Sequence, residues 1–109
     1  MAAAWPGAHD ALIVVDVQND FLPGGALAVA RGDDVVAPLN AAMSAFERAG
    51  RPVYASRDWH PANHCSFKPH GGPWPPHCVA GPRGAEFAAA LALPASAGVV
   101  SKATTPDAD

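Results

Sequence analysis

The sequence predicts an α/β fold, an open parallel sheet with flanking helices, and three observations carry that prediction. Ala11-Leu12-Ile13-Val14-Val15 is an unbroken apolar, β-rich run, the pattern of a strand covered on both faces. A helical repeat and a second β-rich run follow it, which makes one strand–helix–strand unit with a right-handed crossover. The polar, chemically capable side chains then fall at the ends of the strands, where open α/β sheets bind their ligands.

Each element can be justified in turn. The first strand runs into Asp16 and Gln18-Asn19-Asp20, and Pro23-Gly24-Gly25 has turn chemistry. Val35, Leu39, Ala42, Met43 and Phe46 recur at three- and four-residue steps, with Asp33 as the expected cap and Gly50 as the stop. Pro38 falls early in this helix, where proline is tolerated. Pro52-Val53-Tyr54-Ala55-Ser56 reads as the second strand, Ala85 to Leu91 as a short helix, and Gly98 to Ser101 as a third strand. Between His60 and Arg83 lies a long loop dense in Pro, Gly and His, and loops of that length are commonly functional. Residues 1–10 form a tail and 11–109 one domain portion.

Composition narrows the function classes. A chain of 109 residues, half of them apolar, has room for one small core. A net charge of −3 without a basic block gives no reason to expect nucleic acid or an anionic membrane as partner, which leaves a small molecule or a protein. The N-terminus lacks a basic, then apolar, leader pattern, and the Phe87–Leu93 run is too short to cross a bilayer, so a soluble, cytoplasmic protein is expected. Two cysteines, Cys65 and Cys78, do not make a disulfide scaffold.

Asp58 and His60 are two positions apart at the end of an extended strand, so both side chains point the same way. His64 follows after a turn, and His77 arrives from the far end of the loop behind Trp74-Pro75-Pro76. A carboxylate with two or three imidazoles suits zinc, iron or manganese, although a polar loop whose histidines cap turns gives the same spacing. His9 and His70 have no such partners and belong to solvent. Asp16 and Lys102, at neighbouring strand ends, are either a structural ion pair or a proton-trading pair able to activate a thiol. Each cysteine directly follows a histidine of the loop and reads as a packing residue.

Four fragments together resemble one family: Val15-Asp16-Val17-Gln18-Asn19-Asp20-Phe21, Pro23-Gly24-Gly25-Ala26-Leu27, Arg57-Asp58-Trp59-His60-Pro61, and Gly71-Gly72-Pro73-Trp74-Pro75-Pro76-His77-Cys78-Val79. They resemble the nicotinamidases of the isochorismatase-like cysteine hydrolases, in order and approximate spacing, and Ser101-Lys102-Ala103-Thr104-Thr105-Pro106-Asp107-Ala108-Asp109 extends the likeness. The resemblance implies a three-layer isochorismatase-like fold and hydrolysis of nicotinamide to nicotinate and ammonia in NAD salvage. It implies Asp16 as general base and Lys102 as its charged partner. Asp58, His60 and His77 would be ligands of a divalent metal, zinc first, with His64 as a further ligand. Phe21 and Trp74 would sandwich the pyridine ring.

The departure from the family pattern lies in the nucleophile. The family's catalytic cysteine follows the lysine motif at a later strand-to-helix turn, and neither Cys65 nor Cys78 holds that place. The expectation is therefore the N-terminal portion of such a domain, with the C-terminal part of the sheet missing and the chain inactive alone. A non-catalytic metal- or ligand-binding module and a related amidase of different substrate are the alternatives. A homo-oligomer stays open.

Overall fold

The computed structural model describes residues 5–108. Three parallel strands, β1 (Leu12–Val15), β2 (Val53–Asp58) and β3 (Gly98–Lys102), form one sheet in the order β1-β2-β3. One helix, α1 (Val36–Arg48), connects β1 to β2 and packs on both. The parallel α/β prediction is thus met. Within the expected tail, residues 1–4 lie outside the described residues, as does Asp109. Trp5 sets its ring edge-to-face on Phe46 of α1 at 5.0 Å.

The register explains the core. Leu12 pairs with Val53 and Val14 with Ala55, so these four share one face. That face meets Val36, Met43 and Phe46 of α1, with Ala88 and Leu91 closing one side. The helix begins one residue out of phase with the sequence reading. A 3-10 turn, Gly32–Val35, runs directly into it, so Asp33 is inside the turn rather than a cap, and Val36 instead of Val35 enters the core. Its end is as expected. Gly50 takes φ +70, while the Gly50 and Arg51 N–H groups return to the Glu47 and Phe46 carbonyls at 3.0 and 2.8 Å.

One expectation fails. The helix expected from Ala85 to Leu91 is a single 3-10 turn, Arg83–Ala85, followed by extended chain. There the Asn19 N–H bonds the Glu86 carbonyl at 2.9 Å and the Ala88 N–H bonds the Val17 carbonyl at 2.9 Å. Long-range pairing thereby overrides the helical propensity of an alanine-rich stretch. The first strand is covered on one face only. Ile13 (63 % exposed), Val15 (62 %), Tyr54 (45 %) and Val100 (55 %) stand on the face opposite α1. The described residues therefore supply two of the three expected layers.

The long loop builds a small core of its own. Short parallel bridges join His60 to Val79 and Phe67 to Trp74, and Phe67, His60, His64, His77 and Cys78 are all buried. Three buried histidines within one loop direct attention to this end of β2.

Candidate metal and catalytic site

Asp58 is the last residue of β2, and two residues further the chain is held by His60 N–H to the Cys78 carbonyl at 2.9 Å. This places the Asp58 carboxylate 3.5 Å from His60 Nε2 and brings His77 alongside, with the rings of His60 and His77 at 5.1 Å. Ligand atoms of Asp58, His60 and His77 all lie within 4.8 Å of one another.

The donor chemistry fits a divalent metal. His60 Nδ1 donates to the Ala103 carbonyl at 3.0 Å and His77 Nδ1 to the Pro75 carbonyl at 2.8 Å. Each Nδ1 therefore holds its proton, and each Nε2 keeps a lone pair toward the shared space. Burial lowers the His60 pKa below its ordinary value, so at neutral pH the ring is an uncharged ligand. Phe67 backs both imidazoles edge-on, at 5.6 Å from His60 and 5.4 Å from His77.

His64 is not brought into this group. Its Nε2 donates to the Ala108 carbonyl and its Nδ1 accepts from Ser66 Oγ at 2.7 Å, so both nitrogens are committed. It stacks on His60 at 4.0 Å and ties down the segment after β3 instead.

On the other side of Asp58 lies Lys102, the last residue of β3. Its Nζ donates to Asp58 Oδ1 at 2.7 Å and to Asp16 Oδ2 at 2.8 Å. The strands of Asp16 and Lys102 are not neighbours, as the sequence reading had them; β2 separates them, and the long lysine side chain spans it. Burial works against the Lys102 charge, but the bonds to Asp16 and Asp58 outweigh it and raise its pKa. Ser56 Oγ donates to the other oxygen of Asp16 at 2.8 Å. Asp16 itself sits at φ +57, a strained conformation for a non-glycine residue of the kind found at functional sites.

Phe21 is half-buried and tilted on His77 at 5.7 Å, at the edge of the metal group. Trp74 is 48 % exposed on the same loop, outside the core. Cys65 is exposed, and its N–H bonds the Pro106 carbonyl at 2.7 Å. Cys78 is buried, and burial together with Asp20, Asp58 and Asp16 pushes its thiol up to about 12. Burial and the surrounding carboxylates thus favour the neutral thiol, the setting of a packing residue. Sequence reasoning missed Ser56, Phe67 and Gln18. Only Gln18 left a signal, a polar residue in the run that follows the first strand.

The Isochorismatase domain family matches residues 10–108. The chain belongs to this family. Nicotinamidase of Escherichia coli is 40 % identical over 111 residues, covering 88 % of this chain and 52 % of that protein. Nicotinamidase/pyrazinamidase of Mycobacterium tuberculosis is 48 % identical over 83 residues, covering 71 % and 42 %. Among solved structures, the pyrazinamidase of Pyrococcus horikoshii in complex with zinc superposes with a TM-score of 0.87 at 52 % identity, over 91 % of this chain and 54 % of that one. PnC1 from L. infantum, in complex with nicotinate, gives 0.80 at 46 % identity, covering 91 % of this chain and 50 % of that one. The chain spans about half the length of the curated relatives it matches. The isochorismatase-family chain thus carries a three-stranded portion of the relatives' sheet together with a metal-competent donor set. No described helix is long and apolar enough to cross a membrane.

Proposed function

We propose that this isochorismatase-family chain supplies the acid–base pair, the metal centre and the aromatic contacts of a nicotinamide amidohydrolase acting in cytoplasmic NAD salvage. The observation that carries this reading is the position of Lys102, whose one ammonium joins Asp16 to Asp58, the residue that also faces the two buried imidazoles. An acid–base pair and a metal donor set then share a carboxylate. Asp58, His60 and His77 would hold the ion, with zinc favoured by the carboxylate–imidazole donors and by the zinc-bound relative. When bound, the ion supplies a positive charge to a lone pair of the substrate ring.

Asp16 accepts the proton of an attacking thiol and passes it to the leaving amine, while Lys102 keeps its charge and holds the thiolate and the developing negative charge beside it. Phe21 and Trp74 flank the ring. We assign the attacking thiol to neither of the chain's two cysteines, since each directly follows a histidine of the loop, Cys65 after His64 and Cys78 after His77. The 109 residues alone should then release no ammonia from nicotinamide. A chimera joining them to the remaining half of E. coli nicotinamidase should release it, and Asp16→Asn or Lys102→Met should slow that chimera by about 10²-fold or more. Enzyme-like ammonia release from the isolated chain, or an Asp16→Asn chimera as fast as its parent, would contradict the proposal.

A second reading, a metal-binding module without catalysis, is favoured by the three metal donors that the described residues bring together. It predicts metal binding in the isolated chain and an inactive chimera.

A further inference from the structure

Gln18 follows the first strand in the run Asp16-Val17-Gln18-Asn19-Asp20, and its side chain is wholly buried. Its Nε2 donates to the Asp58 carbonyl at 2.8 Å and to the Ala85 carbonyl at 2.9 Å, while its Oε1 accepts from the Asp58 N–H at 2.9 Å. One side-chain amide thus pairs with both backbone groups of a residue whose carboxylate faces the imidazoles and Lys102. The ladder shows why it is needed there. Backbone pairing between β1 and β2 ends with the Asp16 N–H on the Ser56 carbonyl at 3.1 Å, after which Asp16 turns the chain away at φ +57. Asp58 would leave its inward peptide groups unpaired, and Gln18 replaces the absent strand with a peptide-like amide.

Asp20, two residues on, makes the matching contact to the other side of the metal group. Its Oδ2 accepts from the Cys78 N–H at 2.7 Å and its Oδ1 from the Ala26 N–H at 3.2 Å. Cys78 directly follows His77 and is held at φ +49, a conformation that needs an external hold. Gly84 packs on the Asp20 carboxylate so closely that a Cβ there would overlap it. Asn19, between the two, reaches only the Arg83 carbonyl, at 2.9 Å.

We propose that Gln18 and Asp20 are positioning residues of the metal centre, Gln18 fixing the peptide that aims Asp58 and Asp20 fixing the peptide that aims His77. A single turn after β1 thereby sets two of the three ligands, across 40 residues of sequence in one case and 58 in the other. The inference rests on the metal-binding reading above and names what holds its geometry. Groups that orient metal ligands commonly change affinity by about 10–100-fold when removed.

The test is zinc affinity by competition with a chelating dye, the visible absorption of the cobalt-substituted chain, and the urea midpoint of each variant. Gln18→Met keeps the volume and removes all three hydrogen bonds; Asp20→Asn keeps one acceptor and turns a donor toward an N–H. Both should weaken zinc by about 10–100-fold and shift the cobalt bands, Gln18→Met more. Asn19→Ala, with a similar urea midpoint, should leave both readouts as in the wild type. If Gln18→Met does not fold, Gln18→Glu takes its place, because it keeps the shape and the Asp58 N–H bond while losing the donors; the same weakening is expected. Variants that bind zinc like Asn19→Ala and leave the cobalt bands unmoved would overturn the positioning roles alone. A wild-type chain that binds no zinc would overturn the metal reading and this proposal with it.

Discussion

The two oxygens of Asp58 face different surroundings. Toward His60 and His77 every group is buried and oriented, with both Nδ1 protons given to backbone carbonyls and Phe67 behind the rings. Toward Asp16 and Lys102 the site opens: Lys102 is 45 % exposed, and the sheet face opposite α1 presents Ile13, Val15, Tyr54 and Val100 to solvent. Exposed aliphatic patches of this kind mark surfaces that another element covers. The described residues therefore bury the His60 and His77 side of Asp58 themselves and leave the Asp16 and Lys102 side open.

The largest break in this comparison comes from the metal side. His60→Ala removes a buried ligand and should reduce zinc affinity by more than about a hundredfold, measured by dye competition, while Tyr54→Ala on the open face should leave it unchanged. Stability should divide along the same line. Met43, wholly buried between α1 and the sheet, should cost about 2–5 kcal/mol as Met43→Ala in urea unfolding. A smaller effect comes from acid. The His60 pKa is lowered in the fold, so the unfolded chain takes up its proton first as pH drops below the ordinary value of 6.5. The metal-free chain should accordingly lose stability as pH falls from about 7 toward 5, and His60→Gln should flatten that slope. The smallest effect belongs to the open face. Ile13→Thr should change the stability of the isolated chain by less than about 0.5 kcal/mol, yet lower that of the chimera with the second half of E. coli nicotinamidase, which is expected to cover the face.

The two sides also differed in how much of them the sequence disclosed. Strand ends carry their own signal: the apolar run before Asp16 and the Asp58–His60 spacing located three of the groups, because period-two geometry and parallel pairing fix where such side chains point. His77 was a candidate from its place at the far end of the loop, and the loop's fold brings it beside Asp58 and His60. The fate of His64 was hidden, since it depends on the Ala108 carbonyl reaching it from beyond β3. The helix expected at Ala85 failed for a similar reason, as the competing partners, Val17 and Asn19, lie far away in the chain. Strand cover follows the expected partial sheet. A continuous apolar run shows that both faces are suited to burial, and here only the α1 side is buried by these residues.

Metal content measures the central claim most directly. The 109-residue chain, equilibrated with zinc and freed of excess, should retain about one ion per chain, and His77→Ala should retain almost none at an unchanged helical signal. No retained zinc in the wild type, or equal retention in His77→Ala, would contradict a metal side completed by this chain alone.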